Sequence, residues 1–307
     1  MDLDDYRKGY EKEVTTAAAR GKRKVGASGA SAGERGTREL VAVIKDAARP
    51  AGARVTAIDE VGADAVSKPA AMKALLAVLA APDDDPPVRR AALDALQQNS
   101  FSAVAFRRWS TEFLEALRAV ATDADPELRA RAIDLLALSG DEYVQRLLVE
   151  GLEDPAKGLV PTQAALRMIG YDVHGDHYGL LRDIAETSDK PTDRRAALRL
   201  LAADSDSSDL FERIAADKSE DSRARATSAI ALQSLAPDRF DVVAREVLVD
   251  ADDDDTVRAT FVNALAHGPS AHDEELVAQV RAVEEESSSP QLTQAARHFG
   301  RLADEQA

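Results

Sequence analysis

The chain has 307 residues, 39 Lys+Arg against 55 Asp+Glu, a formal net charge of −16 and no cysteine. Without thiols, disulfides, cysteine nucleophiles and thiolate metal sites are excluded, and the acidic balance argues against a general nucleic-acid binder and against adhesion to anionic membranes. Apolar residues make up 45% but aromatics only 4%, which favours closely packed Ala- and Leu-rich helices over a sheet.

In chain order, residues 1–36 stand apart. They hold eight basic and six acidic residues, so residues 37–307 carry −18. Leu3, Tyr6, Tyr10, Val14 and Ala17 recur at three or four residues, the spacing of a short amphipathic helix. Gly21 to Gly36 is rich in Gly, Ala and Ser and reads as a flexible linker. The arm is either a frayed tail or a docking helix, with Tyr6 and Tyr10 as candidate interface residues. The acidic N-terminus lacks an apolar h-region and no stretch reaches a membrane span, so the expectation is a soluble cytoplasmic protein.

From residue 37 the chain repeats itself. Asp-Pro-Pro-Val-Arg-Arg-Ala-Ala-Leu (85–93) returns as Asp-Pro-Glu-Leu-Arg-Ala-Arg-Ala-Ile (125–133), then around Thr192–Leu201, Asp221–Ile230 and Asp255–Leu265, with weaker copies near 53, 160 and 290. Aligned copies place Arg54, Arg89, Arg129, Thr162, Arg194, Arg223, Arg258 and Thr293 at one position. A period near 30–40 residues is the mark of a solenoid. Each unit reads as two helices: an apolar first helix such as 71–79, an acidic loop such as 82–87, and a second helix. The loop Asp suits the N-terminus of that second helix, and Pro is tolerated in its first turn.

The loop Asp, the Val/Leu-Arg pair and the following Ala-Ala-Leu resemble HEAT repeats, particularly the short HEAT-like type found in phycobilin lyase subunits. The resemblance covers about residues 37–304. It implies an all-α, right-handed solenoid of about eight hairpins, with second helices on the concave side. It also implies that Arg54, Arg89, Arg129, Arg194, Arg223 and Arg258 form structural ladders with loop Asp residues. An Arg near a helix N-terminus opposes the dipole, so it needs an acid close by. Thr162 and Thr293 interrupt the row, and their repeats are expected to be irregular or end-capping.

Candidate chemistry is sparse. Gly29-Ala-Ser-Ala-Gly33 matches a nucleophile elbow but lies in the linker, with no strand before it. Asp172-Val-His-Gly-Asp-His177 has ligand types suited to zinc, yet reads more simply as a polar interhelical loop. HEAT-like iron hydroxylases use His-Glu pairs, and none of His174, His177, His267, His272 and His298 is followed by Glu. The acidic runs 83–85 and 252–255 lack the ligand spacing of a calcium loop. Phe101, Phe106, Trp109 and Phe113 are core packing or, for Phe106, Trp109 and Phe113 beside Arg107 and Arg108, an interface patch.

No catalytic, metal or cofactor-binding residue is assigned, and no cofactor is expected. The functional expectation is a non-enzymatic scaffold or adaptor for a protein or peptide. The −18 body suggests a basic partner, with no nucleic acid and no membrane. Self-association through the arm is a further expectation. The alternative is an enzyme or enzyme subunit of the HEAT-like lyase or DNA glycosylase type.

Overall fold

The computed structural model describes residues 36–172 and 177–306. The arm, with Tyr6 and Tyr10, lies outside the described residues. The described residues form an all-α solenoid of eight consecutive helical hairpins. The first helices are α1 (Thr37–Lys45), α3 (Pro69–Ala80), α5 (Ser110–Val120), α7 (Glu142–Glu153), α9 (Tyr178–Thr187), α11 (Ser208–Ala216), α13 (Pro237–Val249) and α15 (Glu274–Glu286). Their second helices are α2 (Ala51–Gly62), α4 (Pro86–Ser100), α6 (Pro126–Leu138), α8 (Thr162–Ile169), α10 (Pro191–Leu201), α12 (Ser222–Leu235), α14 (Asp255–Leu265) and α16 (Pro290–Gln306). Among the described residues no helix is long and apolar enough to cross a membrane.

Asp and Pro set the helix starts. Asp125, Asp141, Asp254 and Asp273 each accept two backbone N–H groups in the first turn of α6, α7, α14 and α15. These donors have no partner inside the helix, and a negative oxygen suits the dipole there. Pro opens α3, α4, α6, α10 and α13, where its missing N–H costs nothing. Gly140, at φ 67°, takes the left-handed turn that ends α6 and lets Asp141 N–H reach the Leu136 carbonyl.

The core is a single row of Leu, Val, Ile and Ala layers running from Leu40 to Ala303. Second helices pack on one another without a break from α2 to α16. Small residues permit the approach: a methyl added at Gly62 would stand 3.3 Å from the Ala95 Cβ. Asn99, 3% exposed, ties the first two repeats, donating to the Gly62 and Ala95 carbonyls and accepting from Val66 N–H.

The longest repeat carries an insertion between α4 and α5. A one-turn helix, Ala103–Phe106, and a 3-10 turn, Arg107–Trp109, fold it back on the array. Phe106 and Phe113 meet edge to face at 5.5 Å, and Arg108 stacks on Trp109. Phe106, Trp109 and Phe113 are only 6–7% exposed. The interface expectation for these three is therefore corrected: they are core, because the extra turn buries their rings. Phe101 and Val104, at 66% and 94%, are the exposed apolar residues of the insertion.

Candidate interaction surface

The fourth residue of the second helix is the organising position. Arg54, Arg89, Arg129, Arg194, Arg225 and Arg258 occupy it. Arg54 Nε donates to the Ile44 carbonyl at 2.9 Å, Arg89 Nε to Leu79 at 3.2 Å and Arg225 Nε to Ala215 at 3.0 Å. Arg194 Nε reaches the Ala185 carbonyl, and an Arg258 Nη reaches Leu248. Each guanidinium thus satisfies a carbonyl left open at the end of the preceding helix. Except in Arg258, the other nitrogens cross to the next repeat. Arg54 pairs with Asp84, Arg89 with Asp123, Arg194 with Glu220 and Arg225 with Asp253.

Arg223 is corrected by this geometry. It is the second residue of α12 and is exposed, whereas Arg225 is the fourth and is 2% exposed. Both lie in Asp221-Ser-Arg-Ala-Arg, and only the later one is a full turn into the helix, where it faces the loop of the next repeat. For the same reason Ala165, not Thr162, is the equivalent in α8. Arg129 has no carboxylate opposite, because Val160-Pro161 precedes α8. It donates instead to the Leu159 and Asp123 carbonyls at 2.8 and 2.5 Å. Arg258 lies before the last repeat, whose loop is Ser287-Ser-Ser289, and it pairs within its own helix with Asp255.

Hydrogen bonding outweighs burial in this row. The Arg54 guanidinium holds Asp84 below the usual carboxylate range. For Asp123 and Asp253, burial alone would push the pKa up, but the hydrogen bonds from Arg89 and Arg225 and from backbone N–H groups bring it down.

A second ladder was missed in the sequence. It joins first helices: Arg118 pairs with Asp141, Arg182 with Asp204 and Arg245 with Asp273. Asp141 and Asp273 also cap their own helices, and Asp204 caps the 3-10 turn Ser205–Ser207 before α11. The available signal was a capping Asp with an Arg in the middle or later part of the preceding first helix, at irregular separations that a fixed period does not reveal.

The ninth residue of the second helices, except the eight-residue α8, forms another row. In the first three repeats it is Asp59, Asp94 and Asp134. Arg131 and Arg167, at the sixth position, reach back to Asp94 and Asp134. Asp59 has no such Arg, because Ala91 is the sixth residue of α4, and loss of water with repulsion from Asp94 pushes its pKa up. Further on the row becomes Arg199, Ile230, Asn263 and His298. Between α10 and α12, Arg199, Ala202, Thr227, Ile230, Ala231 and Ser234 line an open trough of about 300 Å³.

Charge is sorted by layer. The second helices hold fourteen arginines against nine carboxylates, +5; the first helices hold ten basic against eighteen acidic residues, −8. The remaining negative charge of residues 37–307 lies in the connections.

The segment around Asp172 splits. Residues 173–176, including His174 and Asp176, lie outside the described residues. His177 precedes α9, and with Asp172, Tyr178, Ile169, Gly170, Leu181, Leu200 and Ala203 it lines a cleft of about 100 Å³. Among the described residues no group of three or more metal-ligand side chains converges.

No family model matches the chain, and no curated protein does. Among solved structures, human deoxyhypusine hydroxylase in complex with glycerol is similar over 88% of this chain and 96% of its own, at 14% identity and a TM-score of 0.35. The complex of CpcE and CpcF of phycocyanin lyase from Nostoc sp. is similar over 92% of this chain and 100% of its own, at 17% identity and a TM-score of 0.37. These neighbours correct one expectation. The chain was expected not to be an enzyme, and arrays similar to it include a hydroxylase and a lyase complex, so a helical-repeat fold does not exclude catalysis.

Proposed function

We propose that the chain is a helical-repeat scaffold that binds a protein or peptide partner across successive second helices. The observation that carries this reading is the trough between α10 and α12. There the structural arginines are turned inward to carbonyls and acids, while Arg199 and Ile230 stay exposed on one continuous face. Stacked repeats make such a face long and rigid, which suits an extended ligand. The Arg rows support assignment of the repeats to the short HEAT-like type. Capture from native lysate on the full chain, beside the surface variants Ile230→Asp and Arg146→Glu, tests the reading. A stoichiometric protein retained by wild type and by Arg146→Glu but lost with Ile230→Asp is the expected result. Retention by all three, or by none, would contradict it.

A second reading, an enzyme or enzyme subunit, is favoured by the Asp172–His177–Tyr178 cleft. It joins groups able to move a proton to a cavity beside apolar walls. The His177 Nε2 is buried with no hydrogen-bond partner among the described residues. Retention of a cofactor or metal by wild type, and its loss in His177→Ala with the fold intact, is the result this reading expects.

A further inference from the structure

The positive excess of the second helices is not spread along the array. Helices α8, α10 and α12 contain six arginines and a single acid, Asp193. That acid is 4% exposed and accepts from Gln163 Nε2 at 2.6 Å, so it offers nothing to solvent. Arg167, Arg194, Arg195 and Arg225 are engaged with Asp134, Glu220, Asp221 and Asp253. Arg199 and Arg223 are exposed and have no ion-pair partner among the described residues. In a body carrying −18, two free guanidiniums on neighbouring second helices form a local reversal of sign.

We infer that the second-helix face of α10 and α12 binds an acidic peptide segment with an apolar residue between its carboxylates. This rests on the scaffold reading above and names the partner's chemistry. Arg199 lines the trough together with Ile230, Ala202 and Ala231. Ile230 is 56% exposed, so it offers an apolar contact without an intramolecular neighbour covering it. Arg223, Thr227, Ile230 and Ser234 follow one face of α12 at helical spacing. Thr227 Oγ1 donates back to the Arg223 carbonyl, 2.8 Å away, and the Arg223 side chain is exposed.

The spacing suggests the ligand pattern. Seven residues separate Arg223 from Ile230, about 10 Å along a helix rising 1.5 Å per residue. An extended peptide covers that in about three residues. In a repeat of Glu-Leu-Ser-Glu each leucine has a glutamate three residues on, which spans Ile230 to Arg223, and another directly before it for Arg199 beside Ile230 in the trough. Charge complementarity selects carboxylates here. A nucleic-acid duplex fits less well. The connections that lead into α12 and α14 carry Asp217, Asp221, Asp250 and Asp252, which repel a continuous line of phosphates, and a phosphate backbone makes no use of Ile230.

The expectation of a basic partner followed from the average charge. On this face the average misleads, because the carboxylates sit in the first helices and the connections.

Fluorescence anisotropy with the full chain tests the inference. The probes are a labelled peptide repeating Glu-Leu-Ser-Glu, its Lys-Leu-Ser-Lys counterpart and a labelled DNA duplex. The acidic peptide should bind, and binding should weaken with salt. Arg199→Glu and Arg223→Glu should each cost at least about fivefold in affinity, while Arg146→Glu on the first-helix layer, the same charge change, should cost less than about twofold. Circular dichroism confirms that each exposed substitution leaves the fold intact. Preferential binding of the lysine peptide would overturn the inference and leave the scaffold reading standing. Tighter binding of the duplex, or equal losses in all three variants, would overturn it as well. Binding of no probe would count against both.

Discussion

Arg225 tests the architecture most sharply, because Arg223 two residues earlier is its internal control. Arg225 is 2% exposed; it donates to the Ala215 carbonyl and makes two hydrogen bonds of 2.5 and 2.7 Å to Asp253, whose side chain is equally buried. Truncation to Ala leaves an unpaired buried carboxylate and a carbonyl without its donor, and removing one member of such a pair costs about 3–5 kcal/mol. At about 2–4 °C per kcal/mol for a chain of this size, the melting temperature should fall by about 6–20 °C. Arg223→Ala, at an exposed site, should stay within about 0.5 kcal/mol. The double variant Arg225→Met with Asp253→Leu should recover most of the loss, since replacing both partners by apolar groups removes the desolvation cost along with the attraction. Urea denaturation followed by far-ultraviolet circular dichroism gives all three values. Equal effects of Arg225→Ala and Arg223→Ala, or a double variant worse than the single, would refute the argument.

Other outcomes follow from the same packing. Asn99→Leu should destabilise by about 1–3 kcal/mol, because Val66 N–H and the Gly62 carbonyl lose a buried partner; denaturant titration checks it. Gln145 is 8% exposed and neither end of its amide has a hydrogen-bond partner among the described residues, so Gln145→Met should raise stability by about 1 kcal/mol in the same assay. Phe113→Ala should cost about 3–5 kcal/mol, while the exposed Phe101→Ser should change stability by about 0.5 kcal/mol or less. Asp84, Asp123 and Asp253 have folded pKa values below the ordinary carboxylate value. Their contribution is therefore complete above about pH 4 and is lost as acid brings the pH through the folded values. Melting temperatures measured from neutral to acid pH should fall less steeply for Asp253→Asn than for wild type.

Much of the array was legible because its punctuation is chemical. Asp-Pro at helix starts, Leu and Ala at core positions and the recurring Arg all follow from local rules that survive in a single sequence. The error at Arg223 arose because Asp221-Ser-Arg-Ala-Arg offers two arginines, and it is Arg225 that keeps the four-residue step from the loop Asp seen at Asp85–Arg89 and Asp125–Arg129. Counting four residues from the start of the helix separates Arg225 from Arg223 and Ala165 from Thr162. Trp109 and its neighbours were ambiguous because an aromatic cluster looks the same in sequence whether an inserted turn buries it or exposes it. The Arg118, Arg182 and Arg245 ladder has no fixed separation from its acids. Net charge was the least informative quantity for the trough. It sums first helices, connections and second helices whose signs differ, and only three dimensions place Arg199 beside Ile230.

The most direct measurement of the central claim is site-specific photo-crosslinking in the native host, with a photoreactive residue at Thr227 on the second-helix face or at Arg146 on the first-helix layer. The account expects a discrete covalent adduct with another protein from position 227 and none from position 146. Adducts from 146 alone, or the same adducts from both, would contradict a partner site on the second helices.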